Sequence, residues 1–477
     1  MATDPKRWQA LAVLGIAYLM VVLDVSIVNV ALPSIQRDLD MSTEALQWIV
    51  SGYALTFGGF LLLGGRTGDL LGRRVLFMVG LALFGLTSLL CGLAWSSGVL
   101  IGARLAQGAA GAILSPSVFS IVSVTFEEGA ERNKALGILG AIAGSGAAIG
   151  VILGGVLTEY VGWEWIFFVN VPIALIALVL VPRVVRESRA AELTKHFDAW
   201  GAVTVTASLM LFVYGLTETI SRGWTSAVVL ASLAVSAVLM ALFLAIEARS
   251  RSPLVPLGFF RRRTPTGANI IGFGLGTAIF GMFFLLSLYM QQVLGFSALK
   301  TGVGYLAVAL SAVLASGISQ ALVSRVGVRP ILAIGLGLLA GGLVYFTYVS
   351  VGGSYFADLF PGFLLIGVGL GFSFVPVSIA ALAGVTDRDA GLASGLINTS
   401  QQIGGALGLA ILTTVSTTRT NRLLEGGTSR LEALTEGFSL AFWVAMGVAV
   451  AALVTTLLVL RREELAAPAE PAAAPTS

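Results

Sequence analysis

The chain has 477 residues, 57% of them apolar and 11% charged, with a net charge of +3 and a mean hydropathy of +0.94. So little charge cannot cover the surface of a water-soluble fold of this size, which excludes a soluble globular protein. One cysteine, Cys91, and one histidine, His196, supply neither a disulfide framework nor a histidine-based metal site.

Apolar stretches of about 20 residues, each enough for one helix to cross a bilayer, fall at 9–32, 46–65, 75–94, 98–123, 135–158 and 165–183. Two follow at 200–219 and 226–247, then six at 267–293, 301–324, 331–351, 356–382, 390–416 and 437–460. The first comes after Lys6 and Arg7, as a cleaved leader would. It is too long for one and contains Asp24, so a retained first helix is expected. The pattern predicts an all-α integral membrane protein with fourteen crossings.

Charge supports that count. With both termini cytoplasmic, 21 of the 28 Lys and Arg residues lie in inside segments and six in outside ones, with Arg104 alone inside a helix. One helix more or fewer would invert every later loop and spoil the bias. The basic residues are therefore an orientation signal in a multi-pass bacterial plasma-membrane protein, and no nucleic-acid partner is expected. The longest inside connections, about 184–199 and 248–266, bracket helices 7 and 8. They divide the chain into a six-helix half (1–183), a two-helix insertion with its loops (184–266) and a second six-helix half (267–465). A tail rich in Ala and Pro (466–477) is expected to be disordered. The loop GRTGDLLGRR (65–74) and its counterpart SRVGVRP (324–330) are both short, basic and glycine-containing, as in a duplicated half.

Asp24 is the acidic residue that lies clearly inside a membrane segment. A carboxylate there costs about 2.5–3.5 kcal/mol on insertion scales, so it faces a cavity, is paired or is protonated. It is a candidate proton carrier; the competing reading is a structural carboxylate satisfied by Ser26 and Asn29. Arg104 lies at nearly the same depth, counted from the outer ends of helices 4 and 1 at 1.5 Å per residue. Because an arginine stays charged when buried, it is the natural partner of Asp24; a purely structural ion pair is the alternative. Gly146, Gly150 and Gly154 share one face of helix 5, where they allow a second helix to approach closely or slide. Gly404 and Gly408 repeat the pattern on helix 13. Asn29, Phe57, Asn170, Phe284, Gln291, Asn398 and Gln402 are candidate residues of a substrate cavity, although such residues are more often packed or lipid-facing.

Several stretches together carry a family likeness. LDVSIVNVALP (23–33), RLAQGAAGA (104–112), WEWIFFVNVPIA (163–174), GLASGLINTSQQIGGALGLA (391–410) and the 65–74 loop resemble, in order, the motifs of the fourteen-helix drug/proton antiporters of the major facilitator superfamily. The resemblance implies a 6 + 2 + 6 major facilitator fold and efflux by alternating access. It implies that Arg104 takes part in proton coupling with Asp24. It also implies that Gly65, Asp69, Gly72, Arg73 and Arg74 form a latch between conformations, although Arg73 and Arg74 also serve as positive-inside anchors. One departure stands out: the fifth-helix stretch GSGAAIGVILGG (144–155) keeps its glycines but has Ala147 and Val151 where the family has prolines, which weakens the implied antiport and gating.

The implied partners are protons, the bilayer and small lipophilic or cationic substrates, with a monomeric chain and no cofactor. A single membrane acid offers few anchors for dications, so monovalent or neutral lipophiles are expected. Export of a lipid, siderophore or secreted metabolite is the alternative, and a non-transporting scaffold or sensor is the rival from another class. GVGYLA (302–307) and GLGLLA (335–340) match a dinucleotide fingerprint only in letters, since neither follows a soluble strand. No phosphate-binding loop or nucleophile–histidine pair is present, so an enzyme is not expected.

Overall fold

The computed structural model describes residues 5–126, 130–188, 198–250, 257–383 and 390–460, together with 253 and 255. The alanine-rich tail, His196 and most of the 184–199 connection lie outside them. Fourteen helices cross: α1 Arg7–Asp38, α2 Thr43–Leu71, α3 Arg73–Gly92, α4 Ser97–Thr125 and α5 Ala130–Tyr160. Then come α6 Trp165–Val184, α7 Ala199–Arg222, α8 Ala227–Arg249 and α9 Arg263–Val293. The last five are α10 Ala298–Val326, α11 Val328–Phe346, α12 Tyr355–Leu382, α13 Ala390–Glu425 and α14 Arg430–Val459. Helices are the form that satisfies every backbone donor and acceptor within one segment in lipid.

The crossings match the apolar segments in order, but their ends differ. Helix α13 runs nine residues beyond the apolar stretch to Glu425, taking in Arg419 and Arg422, and α14 starts at Arg430 rather than 437. Hydropathy marks where lipid contact stops, whereas the backbone ladder continues until a capping residue such as Ser429 ends it.

The pairing of helices repeats between the halves. In the first, α1 packs on α5, α2 on α4, and α3 on α4 and α6; in the second, α9 packs on α13, α10 on α12, and α11 on α12 and α14. Glycines permit the closest of these approaches. A methyl group at Gly408 would lie 2.1 Å from the Thr277 carbonyl oxygen, and one at Gly276 would lie 2.0 Å from that of Gln401. Helices α7 and α8 form a hairpin, joined by reciprocal bonds between the Ser208 and Ser236 hydroxyls and each other's carbonyls, both 2.8 Å.

The two halves meet along two seams, α5 with α10 and α2 with α13. Their cross-half hydrogen bonds gather where α1 ends and α9 ends: Gln291 Nε2 donates to the Val30 carbonyl and Gln292 Nε2 to Gln36 Oε1, each at 3.0 Å. This end is the one that the Lys and Arg distribution assigns to the outside. Above the seal lies a vestibule of about 970 Å³ lined by Arg37, Glu159, Gln292 and Arg430.

Candidate functional site

A polar cluster occupies the interior of the first bundle. Asp24 on α1 is 0% exposed and Arg104 on α4 is 1% exposed. Arg104 Nη1 donates to Asp24 Oδ2 at 2.5 Å and to Gln107 Oε1 at 2.6 Å, and its Nε donates to the Ile49 carbonyl of α2 at 3.0 Å. Gln107 Nε2 donates to Asp24 Oδ1 at 2.8 Å, and Asn170 Nδ2 of α6 donates to the same oxygen at 3.0 Å. Ser88 Oγ on α3 accepts from both amides, at 2.7 and 3.3 Å. Helices α4 and α6 thus donate to the carboxylate of α1, and α2 and α3 complete the network around it. The guanidinium also lies over the Tyr53 ring, 4.3 Å from its centroid, in a cation–π arrangement that gains from desolvation.

Such a pair is energetically costly to create and more costly to break. Desolvating two ions cancels much of their attraction, so the arrangement is retained only where the remaining donors and acceptors are matched. Here both carboxylate oxygens have partners, while Asn170 Oδ1 and the Tyr53 hydroxyl have none among the described residues. The lone Cys91 belongs to the same cluster, 3.5 Å from Gln107 Oε1.

Asp24 and Arg104, matched in depth in the sequence, are therefore in contact. Gln107 and Ser88 were not anticipated; Gln107 stands three residues after Arg104, on the same helix face. Among the expected cavity residues, three have defined packing or hydrogen-bond partners. Asn170 donates to Asp24, Gln291 donates to the Val30 carbonyl and lines the vestibule beside it, and Phe284 is fully buried in the core. A polar or aromatic residue in an apolar helix reveals its polarity but not its face, so the sequence leaves these contacts open. Phe57 is buried and stacks on Tyr53 with ring centroids 5.8 Å apart. Asn29 is half-buried and bonds the Val25 carbonyl at 2.9 Å. Gln402 is half-buried opposite Gly58, and Asn398 is exposed on α13.

In the 65–74 loop, helix α2 continues to Leu71, and Gly72 turns the chain at φ 113°, a left-handed value that favours glycine. The side chain of Asp69 lies outside the described residues. Among the described residues, Glu187 places a carboxylate at the start of α3, where it accepts from the backbone N–H groups of Arg74 and Val75, each at 3.2 Å. A carboxylate at a helix N-terminus satisfies orphan donors and is attracted by the positive end of the helix dipole. The Arg73 N–H also donates to the Ser188 carbonyl at 3.1 Å. Glu187 is an acid within a basic stretch (Arg183, Arg186, Arg189), its one mark in the sequence.

Gly146, Gly150 and Gly154 face α1. Methyl groups there would lie 2.9 Å from Val22 Cγ1, 1.9 Å from Ser26 Oγ and 2.8 Å from the Ile27 carbonyl. Helix α5 is continuous through Val151, whose carbonyl abuts Gly302 of α10 at the seam between halves.

Residues 14–409 match the model of the Major Facilitator Superfamily, and the chain belongs to that superfamily. It is 40% identical over 455 residues to the puromycin resistance protein pur8 of Streptomyces alboniger, covering 93% of this chain and 90% of that protein. It is 38% identical over 410 residues to the cephamycin export protein CmcT of Amycolatopsis lactamdurans, covering 85% and 84%. Among solved structures, a bacterial homologue of the human lysosomal transporter Spinster, inward-facing and unoccupied, aligns with a TM-score of 0.67 at 15% identity. It covers 98% of this chain and 100% of that one. The protein is thus a multi-pass membrane transporter related to drug-resistance and export proteins.

Proposed function

We propose that the protein exports lipophilic or amphipathic small molecules in exchange for protons, by alternating access, with both termini in the cytoplasm. The observation that carries this reading is the buried Asp24–Arg104 pair and its ring of amides. With Asp24 ionised the cluster is matched and the outer seal is closed. Uptake of a proton by Asp24 removes the negative charge and leaves Arg104 with the Ile49 carbonyl, Gln107 and the faces of Tyr53 and Phe167. A guanidinium without a counter-ion in a dry site is strongly disfavoured. Protonation therefore favours a state in which α1 and α4 shift and water reaches the cluster. Coupling follows if proton and substrate each bind the two states with different affinity.

The names of the relatives, a puromycin resistance protein and a cephamycin export protein, favour antibiotics as the substrate class. A secreted metabolite of that kind is the second reading, distinguished by what accumulates in a deletion strain.

The test is dye efflux from proteoliposomes under an imposed proton gradient, comparing wild type with Asp24→Asn, which keeps the shape and most hydrogen bonds. Gradient-driven export by wild type, reduced at least tenfold in folded Asp24→Asn, is expected. Equal gradient-driven export by both would make Asp24 structural.

A further inference from the structure

The two seams between the halves differ at the inner end. On the α5/α10 seam, a methyl group at Gly302 would lie 2.3 Å from the Val151 carbonyl, so the helices touch there. Val313 stands eleven residues on, three turns along the same face of α10, and Gln320 eighteen residues on, five turns. Val313 is 45% exposed and Gln320 is exposed. The face that α5 covers at Gly302 is therefore bare further in: the helices diverge toward the inner end.

On the α2/α13 seam the inner end is covered. Ala393 and Leu396, in the first turns of α13, are 0% and 5% exposed because Ala202 and Val205 of α7 and Val255 and Phe259 of the α8–α9 connection pack against them. On the other side of the seam, Thr206 Oγ1 of α7 donates to the Gly59 carbonyl of α2 at 2.8 Å. Helix α7 thus touches both halves and fills the gap between them.

We infer that the α7–α8 hairpin seals one membrane-facing gap, so that lipophilic substrates enter from the inner leaflet through the other, between α5 and α10. This rests on the efflux reading above and assigns a task to the inserted pair. Substrate dissolved in the leaflet needs a gap open to lipid at the depth where it resides. Of the two gaps that separation of the halves creates, only the α5/α10 one is unoccupied by protein among the described residues.

The test uses Val313→Cys and Gln320→Cys on the portal, and Val203→Cys and Val238→Cys on exposed faces of α7 and α8. Each folded variant is labelled with pyrene maleimide and assayed for gradient-driven export of rhodamine 6G from proteoliposomes. Wild type, whose Cys91 is 0% exposed, is the labelling control. Labelling at 313 or 320 is expected to slow export at least fivefold, and labelling at 203 or 238 to leave it within twofold. Excess dye is expected to slow the labelling of Val313→Cys at least threefold and that of Val203→Cys not at all. Equal loss at all four sites, loss at 203 or 238 alone, no loss anywhere, or loss at 313 without protection by dye would each overturn the portal. Wild-type protein that moves no dye under the gradient would overturn the efflux reading itself, a result distinct from any of these.

Discussion

Between α1, α3, α4 and α6 the first bundle holds a carboxylate, a guanidinium and two amides, Asp24, Arg104, Gln107 and Asn170. The corresponding space of the second bundle is filled with rings. Phe283 of α9, Tyr305 of α10, Phe346 of α11, Phe363 of α12 and Phe442 of α14 form a chain with centroids 5.2–5.8 Å apart. Its one hydroxyl in contact with polar groups, that of Tyr305, donates to the Phe283 carbonyl at 2.7 Å and lies 3.0 Å from Ser287 Oγ. The same helix pairing thus encloses a buried ion pair in one half and an aromatic core in the other. Edge-on and tilted ring packing resists rearrangement, whereas a matched ion pair has a second arrangement available once a proton neutralises one member. On the proton-coupled reading proposed above, the first half is the responsive body and the second the rigid one.

Removing the charge partner should break this contrast most severely. Arg104→Met leaves Asp24 buried without a counter-ion, and the expected loss of stability is about 3–5 kcal/mol, read as a lowered thermal midpoint in detergent, with export abolished. The double variant Asp24→Asn with Arg104→Met is expected to regain most of the stability and none of the gradient-driven export. A double variant as unstable as Arg104→Met alone would show that the two residues act independently. In the second half, Phe363→Ala should cost about 3 kcal/mol through the cavity it leaves. Whatever export remains is expected to keep its dependence on the proton gradient. Loss of gradient dependence in a folded Phe363→Ala protein would place part of the coupling among the rings.

The glycine seams sharpen the comparison at smaller scale. At Gly408 an added methyl meets the Thr277 backbone at 2.1 Å, whereas at Gly146 it meets the side chains of Val22 and Leu19 at 2.9 and 3.0 Å. Backbone cannot yield without moving α9 from α13, but side-chain ends can rotate. Gly408→Ala is therefore expected to destabilise by about 1–3 kcal/mol and Gly146→Ala by less, measured by thermal unfolding. Similar losses at both positions would mean that the α1/α5 contact is as rigid as the α9/α13 one.

Much of this was legible in the sequence, for reasons that differ from residue to residue. The fourteen crossings follow from hydropathy and from the bias of Lys and Arg, because lipid allows few alternatives to a helix of that length. Asp24 and Arg104 stood out as charges in apolar segments at matching depth. Gln107 and Ser88 did not, because neutral polar residues are common in membrane helices and their meaning comes from the neighbour they face. Gln291 and Asn170 had polarity without direction, so a cavity, a seal and an internal ligand were indistinguishable until the helices were placed. Glu187 could not be connected to α3 at all, since the two are 113 positions apart in sequence.

The smallest expected effect concerns the seal that joins the two unlike halves. Gln292 Nε2 donates to Gln36 Oε1 at 3.0 Å, and Gln36 Nε2 in turn donates to the Met41 carbonyl at 3.2 Å. Both side chains are half-buried beside the outer vestibule, so water can replace the lost partner and Gln292→Ala should cost about 0.5–1.5 kcal/mol of the closed state. That is a shift of roughly 2- to 13-fold in the equilibrium between closed and open outer ends. It reads directly as a faster reaction of Ser34→Cys, at the vestibule wall, with a membrane-impermeant maleimide added from outside. If the first half alone carries the response to protons, the shift from Gln292→Ala should add to that produced by lowering the outside pH. It should also persist unchanged when Asp24→Asn is combined with it. An effect of Gln292→Ala that disappeared in the Asp24→Asn background would mean that the seal opens only through the charge cluster. The second half would then be part of the proton-linked transition rather than the body against which the first half moves.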